Sequence, residues 1–144
     1  MFTIRKSMKI RLIIIAFALL LPLNVPAQEQ SPKTSEQEMK EFLEFVEKSV
    51  TRFQETYDLE DWQCFFVDSI LTHDYLALKD ELEVLGKNKV TTASLYTEIQ
   101  DKWMDQISRS LKKVFTPEQW AKHLKYGEAR AQKERDKRRA KRAK

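Results

Sequence analysis

Phe115-Thr116-Pro117-Glu118-Gln119 encodes a helix start twice over. Thr116 offers an N-cap hydroxyl, Pro117 suits the first helical position, where its missing N–H is no loss, and Gln119 can reach back to close a capping box. An earlier stretch, Leu59-Glu60-Asp61-Trp62-Gln63, repeats the frame: an apolar residue, then Gln four positions later, at the opening of a helix-like pattern. Here Glu60 stands where the cap hydroxyl would be. The chain thus carries a degenerate pair of helix openings, and the segments around them can be read by period.

That reading gives about four helices. Ser35-Glu36-Gln37-Glu38 has the form of a capping box, and Met39, Leu43, Val46, Val50, Phe53 and Tyr57 follow at helical spacing, so a first helix is expected from about Glu36 to Tyr57. Asp58 is the expected cap of a second helix. It carries one stripe of Cys64, Val67, Leu71, Tyr75, Leu78, Leu82 and Leu85 and a second row of Leu59, Trp62, Phe66 and Ile70; Gly86 is the expected stop. Two rows imply contacts on two sides. Thr91 or Thr92 starts the third helix, with Tyr96, Ile99, Trp103, Ile107, Leu111 and Val114 as its buried row, and Thr116 opens the fourth, apolar at Trp120 and Leu124 but wholly charged after Tyr126.

The first residues stand apart. Arg5, Lys6, Lys9 and Arg11 precede an apolar run from Leu12 to Leu21, and Val25-Pro26-Ala27 offers small residues for a signal peptidase, the pattern of a secretory signal peptide over residues 1–27. The run falls well short of the roughly 20 residues needed to cross a bilayer, and no Cys follows it to carry a lipid anchor. The expected product is periplasmic, with a polar leader at 28–34, a helical domain at 35–127 and a charged basic tail at 128–144.

Removing four basic residues with the signal takes the formal +4, from 26 Lys+Arg against 22 Asp+Glu, to zero. A basic precursor is therefore no sign of nucleic-acid binding, and nucleic acid is not an expected partner. What remains is asymmetry: 12 basic and 19 acidic groups over residues 28–124, then 10 basic and 3 acidic over 125–144. The tail has no apolar stripe to bury and is expected to be a solvated, fraying helix. It serves either as an electrostatic arm toward an acidic partner, an anionic membrane surface or a second copy, or only as a solubilising end.

One Cys, Cys64, rules out an intramolecular disulfide, and its place on the apolar stripe favours a small buried hydrophobe over an intersubunit bridge. No glycine-rich phosphate loop or Ser-centred elbow is present. The acid pairs Glu60-Asp61 and Asp80-Glu81 point to different helix faces, so no catalytic residue, cofactor or enzyme activity is expected. His73 with Asp74, or His123 with Glu118 or Glu128, lacks the spacing of a multi-ligand metal site.

The paired motifs, each opening a helix, with a long amphipathic helix before the second, resemble the LTxxQ-motif family of small periplasmic proteins, the Spy/CpxP-like family. The residues carrying the resemblance are Leu59 and Gln63, then Phe115, Thr116 and Gln119; Phe115 replaces the usual Leu and Glu60 the usual Thr. The resemblance implies a thin, all-α hairpin or cradle, paired as an antiparallel homodimer, that binds unfolded or partly folded proteins without ATP. Some members restrain an envelope-stress sensor, which makes a helical adaptor for one defined envelope protein, bound through the basic tail, the alternative. The aromatic-rich first helix and the acidic body depart from the family. A thin helical domain cannot easily enclose every aromatic residue, so Phe42, Phe45, Phe53, Trp62, Phe66 and Trp120, with Phe65 beside them, are the expected client or dimer surface, against the plainer reading of each as core.

Overall fold

Thr34, rather than Ser35, caps the first helix, α1 (Ser35–Tyr57), in the computed structural model, which describes residues 33–144. Thr34 Oγ1 accepts the Gln37 N–H and Gln37 Oε1 accepts the Thr34 N–H, a reciprocal box one residue earlier than expected. Starting there puts both Glu36 and Glu38 in the first turn, beside the positive end of the helix dipole. The expected signal peptide and most of the polar leader lie outside the described residues.

Asp58 does not cap the second helix; it ends α1. Its backbone is left-handed (φ 56°, ψ 54°), and its N–H returns to the Gln54 carbonyl. A short polar side chain tolerates this region better than most, which is why Asp suits the position. Glu60 then becomes the N-cap of α2 (Asp61–Lys87). Gly86 is not the stop either. The helix runs through it, and the chain reverses at Lys89 (φ 54°), where Lys89 N–H bonds Gly86 O and Val90 N–H bonds Leu85 O, each at 3.0 Å. Those two bonds form a Schellman closure, which satisfies the last carbonyls three residues after the glycine.

Helix α3 (Ala93–Val114) follows its Thr92 cap, and Thr116 opens α4 (Pro117–His123) with the full capping box. The fourth helical segment is broken rather than straight. A wide turn over Leu124–Glu128 contains Gly127 at φ 141°, and a second limb, α5 (Ala129–Arg142), leaves in a new direction. Gly127 is the one position where the backbone requires glycine, because a Cβ is strained at that φ whatever the surrounding space.

The fold is all-α; the described residues contain no strand. Helix α2 lies between α1 and α3, antiparallel to each: Lys79 meets Glu38 and Tyr75 meets Phe45 on one side, while Lys102 meets Glu81 on the other. A narrow core runs through Val46, Val67, Leu71, Ile107 and Leu111 and widens at one end around Tyr57, Leu59 and Phe115. The other end is thinner. Met39 and Leu43, expected in the seam of α1, are instead 42% and 49% exposed, although Phe42 between them packs on the core. No helix among the described residues is long and apolar enough to cross a membrane.

Candidate functional site

The two sequence motifs meet in space. Gln63 is 1% exposed, and its Oε1 accepts the Glu60 N–H at 3.0 Å, so it does for α2 what Gln119 Oε1 does for Thr116 N–H at 2.9 Å. Each amide also reaches across. Gln63 Nε2 donates to Gln119 Oε1 at 2.7 Å and to the Val114 carbonyl at 2.9 Å. Gln119 Nε2 donates to Gln63 Oε1 at 3.2 Å and to the Asp58 carbonyl at 3.3 Å. Two side chains therefore tie the end of α1, the start of α2, the end of α3 and the start of α4, using backbone groups that helix ends leave unpaired. Leu59 and Phe115, the first residues of the motifs, are 5% and 6% exposed and plug the core just before each cap. The glutamines thus do more than cap their own helices.

Around this knot sits an aromatic cluster. Phe53, Tyr57, Phe115 and Trp120 each hold a ring centroid within 5.8 Å of the His123 ring, and the Tyr57 hydroxyl lies 2.9 Å from His123 Nδ1. Burial holds the His123 pKa below its ordinary 6.5, against the pull of Glu128, so the imidazole stays neutral in the cluster. Burial likewise raises the Tyr57 hydroxyl, with Arg52 opposing. Phe53 and Trp120, expected on a binding surface, belong to this cluster, and Phe42 packs against the core from one side. These three are corrected to packing residues: an aromatic at helical spacing turns inward wherever a neighbouring helix is close enough to cover it.

The remaining surface residues stay out. Trp62, Phe65 and Phe66 on the first turns of α2 are 52%, 68% and 49% exposed, and Phe45 on α1 is 45% exposed with its edge against Tyr75. The second row of α2 thus divides: Leu59 is buried and Ile70 packs on the core, while Trp62 and Phe66 have no covering helix. The three rings form a connected ridge, Trp62 to Phe66 at 6.2 Å and 77°, Phe65 to Phe66 at 5.7 Å and 79°, both edge-to-face. Trp62 Nε1–H donates to the Glu60 carboxylate at 2.6 Å, which fixes the indole. The ridge is thus a contiguous, exposed apolar surface with one polar tether.

The tail differs from its expected solvated state. Arg135 is 5% exposed, held between Asp105 and Glu128 at 2.6 Å each. Arg138 grips Asp101 with two bonds, at 3.0 and 2.7 Å; Arg142 reaches the same carboxylate, and Arg139 pairs with Asp105. Gln132 Nε2 adds a bond to Ser108 Oγ at 2.9 Å. Burial alone would raise the Asp101 pKa, but the hydrogen bonds and charges of Arg138 and Arg142 outweigh it and hold the carboxyl below 3.8. A helix with no apolar stripe can dock when its cations find carboxylates on the facing helix. The signal for this lay in spacing: Arg135, Arg138, Arg139 and Arg142 share one helical face, and Asp101 and Asp105 are four apart on α3.

His73 Nδ1 bonds the buried Asp74 at 2.8 Å, and no group of three or more metal-ligating side chains assembles among the described residues. Cys64 is half-buried and unbridged, and burial, aided by Asp61, raises its thiol pKa, which disfavours the reactive thiolate. No protein-family model, curated protein or solved structure gives a significant match to this chain, so the family resemblance rests on the two motifs.

Proposed function

We propose that the protein is an ATP-independent periplasmic holdase that captures exposed apolar segments of non-native proteins on the ridge of Trp62, Phe65 and Phe66. The observation that carries this reading is a contiguous aromatic surface left uncovered at the end of α2 that the glutamine knot ties to its neighbours. Aromatic rings have few rotatable bonds to immobilise on binding, and they present large apolar area to a segment of any sequence. Two copies paired antiparallel, as the family resemblance implies, would double that surface. The test is light scattering of a chemically unfolded client diluted into ATP-free buffer with the purified protein. Suppression near one dimer per client supports the reading; undiminished scattering contradicts it.

A second reading, a dedicated adaptor for one envelope protein, draws on the outer face of α5, where Lys133, Lys137 and Lys141 are exposed while the arginines face α3. Reversing Lys133 and Lys141 to Glu separates the two. An adaptor loses a single stoichiometric partner in pull-downs; a ridge-based holdase keeps its suppression.

A further inference from the structure

The ridge sits in a stretch of one charge sign. Between Arg52 and Lys79 the sequence contains no Lys or Arg, yet it contains Glu55, Asp58, Glu60, Asp61, Asp68 and Asp74. Three of these carboxylates lie beside the rings, one by contact and two by helical spacing. Asp61 and Asp68 stand four residues before and three after Phe65, the positions that neighbour it on a helix surface, and both are exposed. Glu60 holds the edge of the Trp62 indole at 2.6 Å. Asp74, in contrast, is buried against His73 on the opposite side and contributes little to this surface.

Aromatic faces and carboxylates favour the same ligand charge. A ring attracts a cation to its face, and a carboxylate at the ring's edge stabilises that cation further. The same arrangement repels an anionic segment and an anionic lipid surface. Resting on the holdase reading, we propose that the ridge selects client segments in which Lys or Arg lies beside apolar residues: the apolar side chains cover Phe65 and Phe66 while the cation stacks on Trp62 or Phe65 within reach of Glu60, Asp61 or Asp68.

Fluorescence anisotropy tests this with two dye-labelled, unstructured peptides of identical apolar content, one carrying Lys and the other Glu at the intervening positions. At low ionic strength the Lys peptide should bind about ten-fold more tightly, and added salt should shrink the difference. Asp61→Asn with Asp68→Asn should reduce the preference and keep the apolar binding. Trp62→Ser with Phe65→Ser and Phe66→Ser should abolish binding of both peptides with an unchanged circular-dichroism melting midpoint. Equal affinity for the two peptides overturns the proposal, as does a preference undiminished in the Asp61/Asp68 variant. So does tighter binding to phosphatidylglycerol vesicles than to phosphatidylcholine vesicles, or a dimer that the ridge variant dissolves and the Lys peptide competes against. A protein that suppresses client aggregation but binds the two peptides equally loses the charge selectivity and keeps the holdase reading. One that prefers the Lys peptide but suppresses no aggregation keeps the selectivity and loses the holdase reading.

Discussion

Two seams hold this molecule together, and they use opposite chemistry. Where α1, α2, α3 and α4 meet, the bonds run between neutral groups: two glutamine amides, backbone ends and the aromatic ring cluster. Where α5 returns to α3, nearly every contact is an arginine on a carboxylate. The neutral seam orients helix ends precisely enough to hold an aromatic ridge in place and is indifferent to salt. The ionic seam docks a helix that has no apolar face, at the cost of burying charge. The difference teaches that a run of charge at the end of a chain is not by itself a free arm: here its arginine face is consumed internally, while its lysines and the aromatic ridge stay exposed.

The sharpest way to break the ionic seam is Arg135→Met. Glu128 is then left largely buried without a cation while Asp105 keeps only the exposed Arg139, and a loss of about 3 kcal/mol is expected in urea unfolding. Breaking the neutral seam by Gln63→Leu keeps the volume but strands the Glu60 N–H, the Val114 carbonyl and the Gln119 amide. A loss of roughly 2–3 kcal/mol is expected, unchanged by salt. Gly127→Ala forces a Cβ at φ 141° and should cost about 1–2 kcal/mol, with α5 less protected from amide exchange than α2.

Acid separates the seams in order. The His123 pKa is depressed by burial, so its stabilising effect is present above 6.5 and is lost as pH falls through that value toward the lower folded one. The depressed Asp101 pKa places the ionic seam's loss below 3.8, because the unfolded chain takes up that proton first. Melting midpoints recorded against pH should fall in two steps, and His123→Phe should remove the upper one. The smallest effect is expected at the ridge: Trp62→Ser, Phe65→Ser and Phe66→Ser combined should change stability by less than about 0.5 kcal/mol, since these rings are about half exposed or more and cover no core residue.

Much of the neutral seam was legible in the sequence. Thr116, Pro117 and Gln119 specify a local box, and local chemistry does not depend on what folds against it. The joining of Gln63 to Gln119 was not legible, because a side chain that caps its own helix gives no sign that its second polar atom reaches another. Asp58 and Gly86 misled for a related reason: either could cap or stop a helix, and the choice fell to which residue entered the left-handed region, Asp58 in one case and Lys89 in the other. Aromatic spacing identified Phe53, Trp62 and Trp120 equally well as apolar positions, but only the placement of α4 against α1 determined which rings were covered. The docking of α5 was encoded in two faces on two distant helices, visible once Gly127 is recognised as a bend rather than an interruption.

Site-specific photocrosslinking tests the central claim most directly. A benzophenone amino acid placed at position 65 on the ridge, and in a separate variant at position 133 on the outer face of α5, is illuminated with an unfolded client. Capture of client from position 65 and not from position 133 is the expected result; capture from position 133 alone, or from neither, contradicts a ridge-based holdase.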